Sequence, residues 1–420
     1  MSDQNGGRRD FLKTALVAGF PAIIRAQTVT NALKVGLVGC GGRGSGAAAQ
    51  ALKADDYSEL TAMADIAEEP IQASLEQIRK AARGKVKQEP QRFVGLDSYR
   101  ALIDSGVDVV LLAAPPGFRP AHFRYAVDAR KHIFTEKPLA TDVPGCRDVL
   151  EASRDARKLG LNVVSGFCWR YSNYIKETFR QILEEKAIGD LVAYYATYYT
   201  SPVKPITAPR PAGMGDVEWQ IRNWYNFTWL SADGFVEQAI HSVDKVAWAM
   251  RDQMPASCVG IGGRQRPPEG GDIYDHYQVN YVWPNGFRAS VAWRQFENSH
   301  NENADYILGT KGRCTIGKGP LPRIEGQTTW TFEGEKNDMY QAEHDVLFQA
   351  IRRGAPVNDG EWMCTSTIMG LMGRLAAYTG KEVTWEQAWN SQEKLVPANL
   401  TWDMKLPVRP TPIPGVTEFR

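Results

Sequence analysis

The chain has 420 residues, of which 49 are basic and 48 acidic, for a formal net charge of +1. The length suggests two domains, and the balance offers no field to hold nucleic acid or an anionic membrane. Six cysteines lie far apart, with no C-x-x-C pair or Cys/His cluster, which excludes a sequence-local metal site and reads as buried free thiols.

Residues 1–30 read as an export signal and linker. Arg8 and Arg9 precede Phe11, Leu12 and Lys13, a short apolar run from Thr14 to Ile24 follows, and Ala26 suits cleavage. This resembles a twin-arginine signal, with Gly7 where Ser or Thr is usual. The run falls short of the about 20 apolar residues of a membrane-spanning helix. The expectation is a periplasmic or extracellular protein that engages the twin-arginine export machinery without stable membrane insertion.

From residue 31 to 166 strands and helices alternate. "LKVGLVG" is a strand and Ser45 to Lys53 a helix; "ELTAMAD" (59–65) is a strand and Ile71 to Arg83 a helix. "VDVVLLAAPP" (107–116) is an apolar strand closed by two prolines, followed by a helix from Arg119 to Ala129. "HIFTEKP" (132–138), a helix from Pro144 to Leu159 and "NVVSGF" (162–167) complete the series. Strands apolar on both faces and separated by helices predict a parallel sheet covered on both sides.

The first turn of that unit is the most informative stretch. Gly39-x-Gly41-x-x-Gly44 follows a strand and opens a helix, and Asp65 ends the next strand. The three glycines suit a tight turn, close approach of backbone to a pyrophosphate, and close helix–strand packing. The helix start offers free N–H groups to phosphate. Asp65 accepts ribose hydroxyls and repels a 2′-phosphate, and no basic residue follows it in "DIAEE", so the expected cofactor is NAD rather than NADP.

Residues 167–396 read as an α+β domain with a large, mainly antiparallel open sheet. "LVAYYATYYT" (191–200) is a strand, a Pro-rich loop spans 202–211, and 275–294 is a hairpin with Asn285-Gly286 as a two-residue type I′ turn. Tyr277, Val279, Tyr281, Trp283, Phe287, Ala289, Val291 and Trp293 share one face of that hairpin. The other face is polar, either solvated or pressed against another subunit. Helices follow at 340–353 and 365–379, and residues 397–420 form a Pro-rich, extended tail.

At "TEKPLA" (135–140) the chain resembles the Gfo/Idh/MocA oxidoreductases. "GLVGCGGRG", "APPGFRPAH" (114–122), "KHIFTEKPLA" (131–140), "EQAIHSVD" (237–244) and "GTKGR" (309–313) carry the resemblance. It implies a Rossmann domain, a second domain with the active site between them, and a homo-oligomer formed through the open sheet. It places Gly39, Gly41, Gly42, Arg43, Gly44, Asp65, Pro115, His122, Glu136 and Lys137 at the cofactor, although His122 suits a structural helix start equally. Lys137 is implied as the catalytic lysine, with Glu136 orienting it or touching cofactor. His241 is implied as proton shuttle, with Glu237 where the family usually has Asp. Glu237, His241, Asp244 and Trp248 share one helical stripe.

Arg170, Tyr171, Trp219, Arg222, Trp224 and Asp244 are the substrate candidates, because sugar sites combine aromatic faces with charged groups; core packing explains the tryptophans as well. Glu343 and His344 are lesser candidates. The reading is an NAD-dependent oxidoreductase acting on a sugar, cyclitol or glycoside with tightly held cofactor. The alternatives are a glycosidase that oxidises transiently through the same residues and a non-catalytic NAD- or sugar-binding protein.

Overall fold

A computed structural model describes residues 31–265 and 270–419. The expected export signal lies outside them. Residues 31–420 form one compact unit built around two sheets.

The first sheet holds β1 (Leu33–Val38), β2 (Ser58–Asp65), β3 (Gln91–Val94), β4 (Val109–Leu112), β5 (His132–Thr135) and β6 (Val163–Ser165). Every pair is parallel, in the order β3-β2-β1-β4-β5-β6. The strand order reverses at β1–β4, where open α/β sheets bind their ligands beyond the carboxyl ends of the strands. All four residues of β4 are buried, as a strand covered by helices on both faces requires. The sequence reading passed over β3 and the helix Ser98–Asp104. β3 is a short edge strand with half-exposed and exposed residues, so it lacks the apolar run that marked its neighbours.

The second sheet adds β7 (Leu191–Thr200), β8 (Ser257–Gly263), β9 (His276–Val282), β10 (Arg288–Gln295), β11 (Glu302–Gly309), β12 (Gly312–Ile316), β13 (Arg323–Gly326), β14 (Trp330–Thr331) and β15 (Val383–Thr384). Its order is β14-β13-β12-β11-β7-β10-β9-β8-β15. Only β7 and β10 run parallel to each other. The alternating face of β9 and β10 predicted to be inward is buried throughout.

The turn between those strands differs from expectation. Gly286 N–H donates to Trp283 O at 3.0 Å and Trp283 N–H to Phe287 O at 3.0 Å. The loop therefore has three residues, Pro284-Asn285-Gly286, and only Gly286 has a positive φ, +86°. A two-residue type I′ loop would need an N–H at Pro284, which proline lacks.

The helix Gly360–Thr379 is buried along almost its whole length. It packs on β8 and β9 from one side and on the helix Val143–Lys158 from the other. The tail has neither helix nor strand, yet it is tied down: Tyr274 Oη donates to Pro412 O at 2.9 Å, and Gly415 N–H to Thr379 O at 2.8 Å. All six cysteines are buried and free. Among the described residues no helix is long and apolar enough to cross a membrane, and no group of His, Cys, Asp or Glu is placed to hold a metal ion.

Candidate active site

The glycine turn after β1 separates two needs. Gly39 has φ +93°, and a Cβ there would lie 2.4 Å from Ala114 N. At Gly44 a Cβ would stand 2.0 Å from Gly39 O, so the helix can seat on the turn only without one. Gly41 and Gly42 are different, because an added Cβ meets no protein atom within 4 Å. Gly41 caps the helix Gly42–Ala54 and supplies no side chain to its first turn. That helix start is left with N–H groups for an anion.

A cavity of about 340 Å³ opens at this turn. Gly39, Gly41, Gly42, Arg43 and Gly44 line it, with Asp65 at the end of β2 and Pro115 and His122 after β4. Asp65 accepts from Cys40 N–H at 2.6 Å and from Ile66 N–H at 2.7 Å. Burial pushes its carboxyl above the ordinary range despite those two bonds. His122 is stacked on Tyr99, with ring centroids 4.1 Å apart, and parallel to Phe118. Burial holds its imidazole neutral, down to about 3, and its Nδ1 has no partner. An open cradle at Gly41, an uncapped helix start and a carboxylate at the neighbouring strand end fit a dinucleotide.

Lys137, Glu237 and His241 form a second cluster, outside the lining of that cavity. Lys137 follows β5, at the carboxyl end of the parallel sheet. Its Nζ donates to Glu237 Oε1 at 2.9 Å and to the backbone carbonyl of the same residue at 2.7 Å. That carbonyl is available because the expected single stripe is broken. Glu237 ends the short helix Gly234–Glu237, and the ladder restarts at Ile240–Ala249, with Ser242 and Val243 both donating to Ala239 O. The longer Glu therefore reaches the amine with both carboxylate and carbonyl. Gln238 Nε2 holds the other carboxylate oxygen at 2.8 Å. Burial first, then Lys137, Lys245 and Arg43, drive the His241 imidazole well below its usual value. His241 is thus neutral, and its Nδ1 is unpartnered.

Several expected site residues are engaged elsewhere. Glu136 does not orient the Lys137 amine; it pairs with Arg43, which also binds Glu343 at 2.5 Å. Arg170 and Asp244, expected at substrate, bind each other at 2.9 Å, and Arg170 also binds Asp252 at 2.5 Å. Ser366 donates to Asp244 at 2.8 Å. Trp248 stacks on Phe179 at 4.4 Å. Tyr171 is buried and hydrogen-bonded to Asp359. Trp219 packs on the small core of Val217, Ile221 and Trp229 rather than lining the cavity. Arg222 and Trp224 do line a cavity, but it is the one at the glycine turn. Glu343 and His344 are fully buried beside Arg43 and Phe134.

Two cavity residues were missed. Arg119 is buried, donates to Pro138 O, leaves Nε without a partner, and carries no carboxylate pair among the described residues. Burial lowers it to about 10. Its signal was present in "PPGFRPAH": a charged residue between prolines inside an apolar stretch. Lys204 reaches the same cavity from the loop after β7, with Nζ 4.9 Å from the centre of the Trp224 ring. Nothing local in its Pro-rich loop announces that placement.

A six-stranded parallel sheet with a glycine cradle, followed by a mostly antiparallel sheet that delivers side chains to its edge, defines a two-domain protein of the dinucleotide-binding α/β class. Residues 33–164 match the model of the Gfo/Idh/MocA oxidoreductase family, NAD-binding Rossmann fold. It is 28% identical over 193 residues to dTDP-3,4-didehydro-2,6-dideoxy-alpha-D-glucose 3-reductase of Actinomadura kijaniata, covering 45% of this chain and 50% of that protein. It is 26% identical over 242 residues to 2,7-anhydro-N-acetylneuraminate hydratase of Escherichia coli, covering 56% and 59%. The chain thus spans about half the length of these curated relatives. Its fold is that of the WlbA dehydrogenase of Bordetella pertussis, solved with NADH and UDP-GlcNAcA, with a TM-score of 0.63 at 18% identity over 84% of this chain and 99% of that one.

Proposed function

We propose that this protein is an NAD-dependent oxidoreductase acting on a ring secondary alcohol of a sugar, cyclitol or glycoside, with the nucleotide held through many turnovers. The observation that carries the reading is the Lys137 amine fixed after β5 by the Oε1 and the backbone carbonyl of Glu237, near enough to His241 to act on that neutral imidazole. The bound nicotinamide supplies the two-electron acceptor. Lys137 and the neutral His241 together manage the hydroxyl proton, and Glu237 holds the Lys137 side chain in place while they do so. The neutral imidazole of His241, its Nδ1 without a partner, is fit to accept that proton or to hold a substrate hydroxyl. Gly39 to Gly44 bind the pyrophosphate, and Asp65 the ribose, which favours NAD over NADP.

A second reading is a glycosidase whose oxidation is transient and whose net redox is zero; one relative is named a hydratase, a reaction without net redox. The same Lys137 and His241 serve a glycosidase of that type. Purified protein is denatured and the released nucleotide identified by mass spectrometry. Sugars and chromogenic glycosides are then screened for change in nicotinamide absorbance and for aglycone release. Net absorbance change supports the first reading, and aglycone release without it the second. Protein that carries no nucleotide and ignores added NAD refutes both.

Two further expectations belong to this proposal. The Arg8-Arg9 pair and the apolar run after it support twin-arginine export to the periplasm or beyond. Tyr195, Val259, Ile261 and Leu308 are exposed on the outer side of the second sheet, which supports a homo-oligomer closing over that side.

A further inference from the structure

The wall of the nucleotide cavity opposite Asp65 belongs to the second domain. Lys204, Ile221, Arg222 and Trp224 line it there, and Ile66 and Leu96 of the first domain pack on the same small core as Ile221 and Trp224. Arg222 is the cation that acts on Asp65, and it is held by Glu218 at 2.8 Å, with Glu69 of the first domain 4.0 Å away. The cavity's other cations differ in how they are balanced. Arg43 is neutralised by Glu136 and Glu343. Arg119 and Lys204 have no carboxylate partner among the described residues. Two cations with no contacting carboxylate, acted on only at a distance by Glu237 and, for Arg119, by Glu136, suit the two negative charges of a pyrophosphate.

This wall is braced. Asn226 is buried and donates to Lys204 O at 2.9 Å, fixing the loop that carries the amine. Its own carbonyl accepts from Asp272 N–H at 3.0 Å. Gln220 is buried two residues before Arg222; it donates to Leu406 O at 2.6 Å and accepts from Trp229 Nε1 at 2.6 Å. Leu406 N–H returns a bond to Asp216 at 2.9 Å. The tail thus clips the helix Asp216–Arg222 onto the small core that Ile66 and Leu96 share.

Resting on the dinucleotide reading above, we propose that Lys204, Arg222 and Trp224 of the second domain, with Arg119 of the first, form the second half of the nucleotide site, a clamp over the pyrophosphate and adenosine. The clamp makes release of nucleotide slow. The residues read from sequence as substrate contacts, Arg222 and Trp224, belong to cofactor retention.

The test measures how fast the full-length protein loses bound NADH, followed by nicotinamide fluorescence after mixing with excess NAD. Lys204→Ala and Arg222→Ala are each expected to speed release about tenfold or more, the loss of one charge-assisted contact. Lys204→Arg should restore slow release, and added salt should narrow the difference between wild type and Lys204→Ala. Thermal midpoints confirm that each variant is folded. Variants that release NADH at the wild-type rate, while Asp65→Ala releases it faster, overturn the clamp and leave the dinucleotide site standing. Wild-type protein that binds no NADH overturns both.

Discussion

Replacing Gly41 by alanine separates a glycine kept for a ligand from one kept for the fold. Gly41 has φ −78° and ψ −178°, an extended conformation open to alanine, and an added Cβ meets no protein atom within 4 Å. Restricting the unfolded chain stabilises by about 0.4–1 kcal/mol. Alanine is a poorer helix cap than glycine by a similar amount. The two nearly cancel, so the thermal midpoint should move by no more than a few degrees. The methyl nevertheless occupies the cradle where phosphate must approach the backbone. Each charge-assisted bond lost there is worth about 1.5–3 kcal/mol, or roughly 10–100-fold in affinity. Gly44→Ala is the contrast: its Cβ would sit 2.0 Å from Gly39 O, and backbone must shift. That costs about 1–3 kcal/mol of stability as well as binding. The assay is a thermal melt paired with titration of nucleotide-free protein by NADH. A Gly41→Ala variant that melts normally and binds NADH as tightly as wild type refutes the assignment of the cradle.

Lys137→Ala should lower turnover by about 10²–10⁴-fold while leaving bound nucleotide in place, as single-turnover kinetics and nucleotide release will show. Asp65→Ala should weaken NAD binding by about tenfold and narrow any preference over NADP, read by titration with each nucleotide. Arg170→Ala should destabilise the fold by about 3–5 kcal/mol in a denaturant titration, because Asp244 is left charged and buried, without raising the KM of the remaining activity. Asp233 is raised from 3.8 to about 6 by burial. Its folded-state value lies above the unfolded one, so the fold favours the protonated form. Its contribution is most favourable below pH 4 and falls by about 3 kcal/mol as pH rises through 6. The stability of wild type relative to Asp233→Asn should therefore decline across that interval, and a flat difference contradicts the assignment.

The sheets were legible where side-chain pattern alone decides the outcome. β4 is apolar on both faces because helices cover both, and β9 and β10 alternate because one face is covered. β3, an edge strand with no buried run, carried no such mark. The site was legible in part. Lys137 and His241 stand in motifs and lie together, and the glycine turn lines a cavity. What sequence could not supply was pairing at a distance. Arg170 and Asp244 are 74 positions apart and find each other. Whether Glu237 O is spent inside a helix or offered to Lys137 depends on a break after Glu237 that no local residue announces. Lys204 and Arg222 reach the nucleotide cavity only through the packing of the second domain.

The double grip on Lys137 ties geometry to reactivity. The amine belongs to the first sheet's rim, whereas both of its acceptors belong to a four-residue helix anchored under Gly360–Thr379. Any excursion that parts the two halves of the molecule strips the amine of both acceptors at once. In the mechanism proposed above, such an opening would leave Lys137 without the support that positions it, so the two acceptors of one amine couple domain contact to reactivity.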